Sequence, residues 1–197
     1  MPEVLTQHSV GPLLPALAHT APARLETAAK AMITSAQIAR RVHAMGRQIS
    51  KVYSDIETPL VMVVILKGAT VFAADLLRSL SIPAELEFVR ATSYGSGTSR
   101  GDLRLAHMID GSLVDRHVLL VEDIVDSGHT AAGVTRRVRR MKPSSLKLAA
   151  LLDRPARRAV PVTIDFKGFV IPDRFVIGYG LDYAGLYREL PGIYSLG

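Results

Sequence analysis

The sequence predicts an α/β fold in which one domain has a mainly parallel central sheet with helices on both faces. Residues 60–66 and, after His117, residues 118–121 form continuous apolar runs, and such runs are typical of strands that are buried on both faces of a parallel sheet. These runs alternate with segments of helical periodicity, the pattern of an α/β sheet. The chain has 197 residues, enough for one domain that buries roughly 70% of its unfolded surface.

Each element follows from a local pattern. We predict that Ser35 caps a helix over residues 36–53, whose apolar residues recur at helical spacing. Further helices are predicted over residues 70–80 and 128–141. The other predicted strands are 60–66, 85–90, 103–109, 117–121, 146–152, 169–171 and 175–179. Ligands in such folds bind beyond the carboxyl ends of the strands, so the chemistry is expected there.

Composition excludes several classes of site. The chain has no cysteine, which excludes disulfides, thiolate nucleophiles, zinc–cysteine sites and iron–sulfur clusters. This composition fits a reducing compartment, and we expect a cytoplasmic protein. The most apolar region, residues 59–77, is interrupted by Lys67 and Asp75, whereas a membrane span needs about 20 nearly unbroken apolar residues. We therefore expect no membrane partner.

The chain is basic, with a formal net charge of +6, which suits a nucleic acid, an anionic membrane or a polyphosphate metabolite. The densest positive charge is Arg136, Arg137, Arg139, Arg140 and Lys142. Arg140 lies about 18 Å along its helix from Gly128, too far to share an anion bound at the helix start. A solvated helix face is favoured over a nucleic-acid patch, so nucleic acid is not the expected partner.

The first residues differ from the rest of the chain. Residues 1–32 are rich in alanine, leucine, proline and threonine, and their prolines break any long helix. We interpret them as an N-terminal arm that packs on the domain or on a neighbouring subunit, with disorder as the alternative. Residues 33–197 are predicted to form the single domain.

Residues 118–130 carry the strongest chemical signal. An apolar strand ends in Glu122 and Asp123, and Asp126 follows after two apolar residues. Ser127, Gly128 and Thr130 then open a helix, whose unpaired backbone N–H groups can bind phosphate. The carboxylates would instead meet sugar hydroxyls, a divalent cation or a proton in transfer. An ordinary strand–turn–helix with solvated acids is the weaker alternative.

With its flanks, this segment resembles the 5-phosphoribosyl 1-diphosphate (PRPP) motif of the phosphoribosyltransferases. Further motifs narrow the resemblance to the hypoxanthine-guanine phosphoribosyltransferases. They lie at residues 66–68, 93–97, 151–155, 171–183 and 187–188. The resemblance covers the chain from about Ile33 to the C-terminus. It implies a phosphoribosyltransferase-like domain with a small purine-binding hood that is formed by the C-terminal region.

The resemblance implies a Mg²⁺-dependent purine salvage transferase. It would join hypoxanthine or guanine to PRPP, giving IMP or GMP and pyrophosphate, and would act as a homodimer or homotetramer. Two alternatives stay open. One is a PRPP-sensing regulator that binds nucleic acid on the same fold, and the other is a phosphoribosyltransferase that prefers xanthine.

The resemblance also implies site residues. Asp126 is expected to be the acid/base partner of purine N7, and the peptide bond before Lys67 is expected to be cis. PRPP and its pyrophosphate are expected to contact Lys67, Gly68, Ser93, Tyr94 and Arg188. Ribose 5-phosphate is expected to contact Glu122, Asp123, Ser127, Gly128, His129 and Thr130. The purine is expected to contact Arg154, Phe175, Val176 and Asp182, and Mg²⁺ to contact Glu122, Asp123 and Asp182.

Two residues depart from the family pattern. Arg154 stands where the family usually has a lysine that donates to the purine 6-oxo group, and His129 stands where lysine or asparagine is common. We expect the Arg154 guanidinium to face the O6 edge of the purine. Residues 91–104 have the glycine and serine content of a mobile lid, which would exclude water from the reaction.

Overall fold

The computed structural model describes residues 31–92, 104–109 and 111–196. The helices are α1 (Ser35–Val52), α2 (Thr70–Arg78) and α3 (His129–Arg139). The strands are β1 (Ala31–Ile33), β2 (Leu60–Leu66), β3 (Ala84–Thr92), β4 (Arg104–Met108), β5 (His117–Val125), β6 (Ser145–Asp153), β7 (Phe166–Val170), β8 (Phe175–Ile177) and β9 (Ile193–Leu196). The predicted arm, apart from its last two residues, and Ser93 and Tyr94 lie outside the described residues.

The main sheet has six strands in the order β4-β3-β2-β5-β6-β7. Neighbouring strands in the row β3-β2-β5-β6-β7 pair in parallel. β4 pairs antiparallel to β3 at the edge of the sheet. The wholly apolar runs of β2 and β5 occupy the centre, where both faces of a strand are covered. The prediction of a mainly parallel sheet is confirmed.

Helices cover both faces of this sheet, as predicted. Met62 and Val64 of β2 join the apolar cluster that contains the buried residues of α1 and α2. Val63 of the same strand joins a second cluster with Val134 and Val138 of α3. The alternation of β2 side chains therefore divides the core into two layers.

A second, antiparallel sheet in the order β1-β9-β8 forms the hood. Val176 of β8 and Ile193 of β9 belong to the same apolar cluster as α1 and α2, so the hood packs against that layer. β1 and β9 were not predicted. Residues 31 and 32, which we assigned to the arm, lie in β1, so the hood takes one strand from the start of the described chain.

Several element boundaries differ from the predictions. Thr34, not Ser35, is the N-cap of α1, because its side chain accepts from the backbone of Gln37 while the Gln37 side chain accepts from the Thr34 backbone. The α2 helix ends at Arg78 rather than residue 80, β5 extends to Val125, and β7 begins at Phe166 rather than residue 169. In the described ranges, no helix combines the length and apolarity needed to cross a membrane.

Candidate active site

Two adjacent carboxyl groups lie near the carboxyl end of β5. Glu122 is buried, and among the described residues its Oε2 atom has no hydrogen-bond partner. Burial raises the pKa of Glu122 well above its usual value, and the neighbouring Asp123 raises it further. Burial also raises the pKa of Asp123 to about 6, although the Ile124 N–H, which donates to Asp123 Oδ1 over 2.8 Å, opposes this shift. The pair is therefore poised to interact with a polar or cationic ligand.

The turn after β2 lies against these carboxylates. The Leu66–Lys67 peptide bond is cis, as the family resemblance implied. A Cβ atom added at Gly68 would lie 1.6 Å from Asp123 Oδ2, so only glycine fits there. The Lys67 side chain is exposed, and its carbonyl accepts from the Thr70 hydroxyl over 2.7 Å. The cation of Lys67 is therefore available to an anion bound at this turn.

A second turn, from the hood region, closes on the first. Gly180 has a φ of +97°, and a Cβ atom there would lie 2.1 Å from the Gly68 carbonyl oxygen. Arg188 Nη1 donates to the Gly180 carbonyl over 2.6 Å, and Arg188 Nη2 lies 2.6 Å from Asp182 Oδ1. The Arg188 charge also lowers the pKa of Asp123 against the effect of burial. Arg188 and Asp182 are thus held beside the turn that carries Lys67 and Gly68.

The start of α3 has the open backbone geometry that a phosphate cradle would require. Gly128 caps the helix with a φ of +89° and without a side-chain hydrogen bond, so the first backbone N–H groups remain open to an anion. Ser127 and Thr130 are partly exposed beside it, and His129 is exposed. The Ser127 carbonyl accepts from the backbone N–H groups of Ala159 and Val160, over 2.9 and 3.0 Å.

Asp126 and Arg154 form a bidentate ion pair. Arg154 is 7% exposed; its Nε donates to Asp126 Oδ1 over 3.0 Å and its Nη2 to Asp126 Oδ2 over 2.5 Å. Its Nη1 donates to the Arg174 carbonyl over 2.6 Å. We expected the guanidinium to face a purine. In the structure it holds the predicted acid/base residue, a contact that the sequence reasoning missed.

The predicted purine-stacking residue lies at the edge of the hood. Phe175 is 37% exposed, and its ring meets Tyr183 edge-to-face with centroids 5.8 Å apart. Val176 follows it in β8 and is buried. An exposed aromatic face held by a second ring is suited to stacking on a planar base.

Arg158 supports this site and was missed by the sequence reasoning. Its Nε donates to the Asp126 carbonyl over 2.9 Å, its Nη2 donates to the Val125 carbonyl over 3.0 Å, and it pairs with Asp153. It therefore fixes the backbone that carries Asp126. The only signal in the sequence was the spacing of five residues between Asp153 and Arg158.

The donor set fits a magnesium ion that is shared with a substrate. Carboxylate oxygens suit Mg²⁺, and the unpartnered Oε2 of Glu122 is a buried acceptor without a donor. No cluster of three or more metal-ligating side chains occurs in the part of the chain that the structure describes. A Mg²⁺ ion here would need substrate oxygens and water to complete its shell, which is common for this ion.

Comparisons with known proteins agree with this geometry. Residues 34–184 match the model of the phosphoribosyl transferase domain. The chain is 45% identical over 161 residues to hypoxanthine phosphoribosyltransferase from Salmonella typhimurium, covering 81% of this chain and 90% of that protein. It is 44% identical over 163 residues to the Escherichia coli protein of the same name, covering 82% of this chain and 92% of the relative.

Solved structures have the same fold. A hypoxanthine phosphoribosyltransferase variant from Trypanosoma cruzi, in a ternary complex with substrates, superimposes with a TM-score of 0.81 at 38% identity and covers 85% of this chain and 95% of its own. Family model, relatives and fold agree over most of the chain. The chain therefore belongs to the phosphoribosyltransferase family, whose members are pentosyl-transferring enzymes, within the group that contains the hypoxanthine phosphoribosyltransferases.

Proposed function

We propose that the chain is a Mg²⁺-dependent purine salvage enzyme that transfers the phosphoribosyl group of PRPP to hypoxanthine or guanine, giving IMP or GMP and pyrophosphate. The observation that carries this proposal is the place of Asp126. It precedes the open start of α3 and is held by Arg154, whose Nη1 donates to the carbonyl of Arg174, the residue before Phe175. The relatives named hypoxanthine phosphoribosyltransferase support the choice of base.

PRPP would bind across two turns. Its 5′-phosphate would accept from the first backbone N–H groups of α3 and from the hydroxyls of Ser127 and Thr130. Its pyrophosphate would meet Lys67, the Gly68 backbone and Arg188, because the close approach of Gly180 to Gly68 brings these groups together. The predicted lid over residues 91–104, with Ser93 and Tyr94, would complete this site.

Glu122 and Asp123 would hold Mg²⁺ together with oxygens of PRPP, and Asp182 would serve a second ion. A bound Mg²⁺ would neutralise negative charge that builds up on the leaving pyrophosphate. The paired carboxyls would also accept from the ribose hydroxyls, and the otherwise unpartnered Oε2 of Glu122 is available for such a bond.

The reaction would break the C1′–O bond to pyrophosphate and form a bond from C1′ to purine N9. The proton on purine N7 would pass to the carboxylate of Asp126. A carboxylate held by Arg154 has a fixed position, and positioning a proton acceptor in this way contributes about 10²–10⁴-fold to a rate. The developing charge at C1′ would be stabilised by the nearby carboxylates.

Arg154 also provides the basis for base choice. A guanidinium has five N–H donors, and three of them are engaged by Asp126 and the Arg174 carbonyl. Two remain, and these can donate to O6 of hypoxanthine or guanine, whereas the N7 proton faces Asp126. Adenine presents an amino donor at C6, so donors would oppose each other in a confined site. Backbone carbonyls near Val176 and Asp182 would accept the guanine amino group and repel the C2 oxygen of xanthine.

Pyrophosphate release, measured with PRPP, Mg²⁺ and each of four bases, tests the proposal. We expect kcat/KM to be high for hypoxanthine and guanine and low for xanthine. For adenine we expect about 10⁴-fold less. No turnover of any base, combined with salt-sensitive binding of RNA or DNA, would favour the regulator. Fastest turnover of xanthine would favour the xanthine-preferring enzyme.

We further propose that the enzyme acts in the cytoplasm, which fits a chain without cysteine, and that it assembles as a homodimer or homotetramer. Size-exclusion chromatography with light scattering measures the assembly. A monomer with full activity would contradict this part of the proposal.

A further inference from the structure

Apart from the proposed catalytic site, a groove lies on the face of the main sheet opposite to α1 and α2. It has a volume of about 690 Å³ and is bounded by α3, the start of β6 and residues 160–165. Leu120 and Leu148, both buried, form its floor, and Val160, Pro161 and Val162 form one wall. None of the proposed site residues lines it. The groove is therefore distinct from the catalytic cleft.

Three arginines of α3 and its cap line this groove. Arg136, Arg139 and Arg140 are exposed on the side that faces it, whereas Arg137 and Lys142 do not line it. Lys147 and Asp165 also line the groove, but their side chains lie 3.2 Å apart and neutralise each other. Within the described ranges, no acidic side chain forms an ion pair with the three arginines. The groove thus combines an apolar floor with an uncompensated cationic rim.

We propose that this groove binds a nucleoside polyphosphate. Its volume falls within the range of about 300–1,000 Å³ that is usual for small-ligand sites. Arg136 and Arg140 are four residues apart, one turn of the helix, so both cations lie along the same side of the groove and can contact one chain of phosphates. Arginine binds phosphate oxygens with paired donors, and the partly exposed wall of Val160, Pro161 and Val162 offers an apolar surface for a planar base. A bare anion would leave that wall uncovered.

The groove contacts the phosphate cradle of the catalytic site through one segment. Val160, which lines the groove, donates its N–H to the Ser127 carbonyl, as does the adjacent Ala159. A Cβ atom added at Gly128 would lie 2.5 Å from the Val160 carbonyl oxygen, so the two segments are in close contact. A ligand that packs on Val160 therefore touches the support of the cradle. Binding of this ligand and of PRPP should be coupled, and the coupling must be reciprocal.

Calorimetric titration of the full chain with ATP tests the binding. ATP suits this purpose because the proposed catalytic site should exclude its adenine base. Added IMP should in turn occupy the catalytic site and leave the groove free. We expect one ATP per chain in the presence or absence of IMP. The double variant Arg136→Ala/Arg139→Ala should bind ATP at least about tenfold more weakly, since two charge-assisted contacts are lost. The control Arg137→Ala removes the same charge from the same helix outside the groove and should stay within about twofold.

Two further probes test the ligand class. AMP and inorganic tripolyphosphate should each bind more weakly than ATP, because the first lacks the phosphate chain and the second lacks the base. The proposal is overturned if ATP does not bind, if IMP displaces it completely, or if the double variant binds it normally. It is also overturned if the wild type does not bind ATP and the double variant has a different oligomeric state from the wild type. The groove is then an interface between copies of the chain.

The coupling rests on the proposed function, whereas the binding does not. With the wild type, ATP should shift the KM for PRPP, and PRPP should shift the dissociation constant of ATP by a similar factor; the double variant should show neither shift. Normal ATP binding in a chain without transferase activity would contradict the proposed function alone. Binding with no effect of PRPP on ATP would contradict the coupling alone.

Discussion

Asp126 and Arg154 act as one unit at the residue scale. Arg154 is almost fully buried, and its two contacts to Asp126 fix both oxygens of the carboxylate. A buried arginine that loses its partner keeps an uncompensated charge, so each residue of the pair constrains what can replace the other. A purine that enters the cleft must therefore share Arg154 with Asp126 rather than find it free.

Asp126→Asn should lower kcat by about 10²–10⁴-fold, because the amide keeps the size of the carboxylate but cannot accept the N7 proton. PRPP binding should persist, since the phosphate cradle and the pyrophosphate turn are untouched. Steady-state kinetics and PRPP titration measure the two effects. Asp173→Asn is a matched control, because Asp173 pairs with Arg157 on the exposed surface. A normal kcat in Asp126→Asn would remove its role as proton acceptor.

Arg154→Met should raise the KM for hypoxanthine at least about tenfold and change the KM for PRPP little, because the lost donors serve the purine, Asp126 and the Arg174 carbonyl rather than the phosphate-binding turns. Arg154→Lys keeps one donor for O6 and should restore most of the purine affinity. The KM values for hypoxanthine and PRPP measure this, and the turnover of adenine is measured alongside them. Equal rises in KM for hypoxanthine and PRPP would show that Arg154 supports the whole site rather than the purine alone. Turnover of adenine near that of hypoxanthine would overturn the selectivity argument.

Candidate site residues could be predicted from the sequence more completely than the contacts between their side chains. Glu122, Asp123 and Asp126 could be predicted because they follow an apolar strand and precede a helix start. The pairing of Asp126 with Arg154 joins residues 28 apart, and no local pattern encodes such a contact. The support from Arg158 escaped prediction for the same reason, since its backbone acceptors, Asp126 and Val125, lie 32 and 33 residues away along the chain.

At the scale of elements, predictability depended on how much of a strand is buried. β2 was predicted to the residue because all seven of its positions are apolar and helices cover both faces of the sheet at this strand. β7 was misplaced by three residues at its start, because Lys167 and Gly168 interrupt the apolar pattern of this edge strand. β1 and β9 are three and four residues long, and their pairing joins distant parts of the chain.

Gly180→Ala should disrupt the pyrophosphate turn. The added Cβ would meet the Gly68 carbonyl at 2.1 Å, so one of the two turns must move. We expect the KM for PRPP to rise about tenfold or more, because Gly68 and Arg188 shift together. Gly185→Ala is the matched control, since Gly185 has a similar φ of +87° but no atom within 4 Å of an added Cβ.

The control separates backbone strain from the clash. Gly185→Ala should cost about 1–2 kcal/mol of stability, the penalty of a left-handed conformation, with kcat/KM for PRPP unchanged. Thermal unfolding and steady-state kinetics of both variants measure the difference. If the two variants lose PRPP affinity equally, the contact between the two turns does not organise the site.

At the scale of the whole molecule, the hood joins the two ends of the described chain. β1 pairs with β9, which also pairs with β8, the strand that carries Phe175 and Val176. Ile33 of β1 is buried in the same core cluster as α1 and α2. The start of the described chain is therefore part of the side of the molecule that we propose to bind the purine.

The boundary of the proposed arm can be tested by two truncations. Removal of residues 1–30 keeps β1 and removes no proposed site residue, so kcat/KM should stay within about twofold of the full chain. Removal of residues 1–34 also deletes β1 and the cap Thr34, and the cap alone contributes about 1 kcal/mol. The longer truncation should therefore unfold at a temperature lower by at least about 2–4 °C.

The two truncations should also differ in which substrate they affect. Loss of β1 leaves one edge of β9 unpaired, although β9 still pairs with β8 on its other edge. This should loosen β8, so the KM for hypoxanthine should rise more than the KM for PRPP. Thr34→Ala in the full chain isolates the contribution of the cap and should lower thermal stability without changing either KM. If removal of residues 1–30 alone lowers kcat/KM more than about tenfold with unchanged thermal stability, the arm contributes to the catalytic site rather than to packing or assembly.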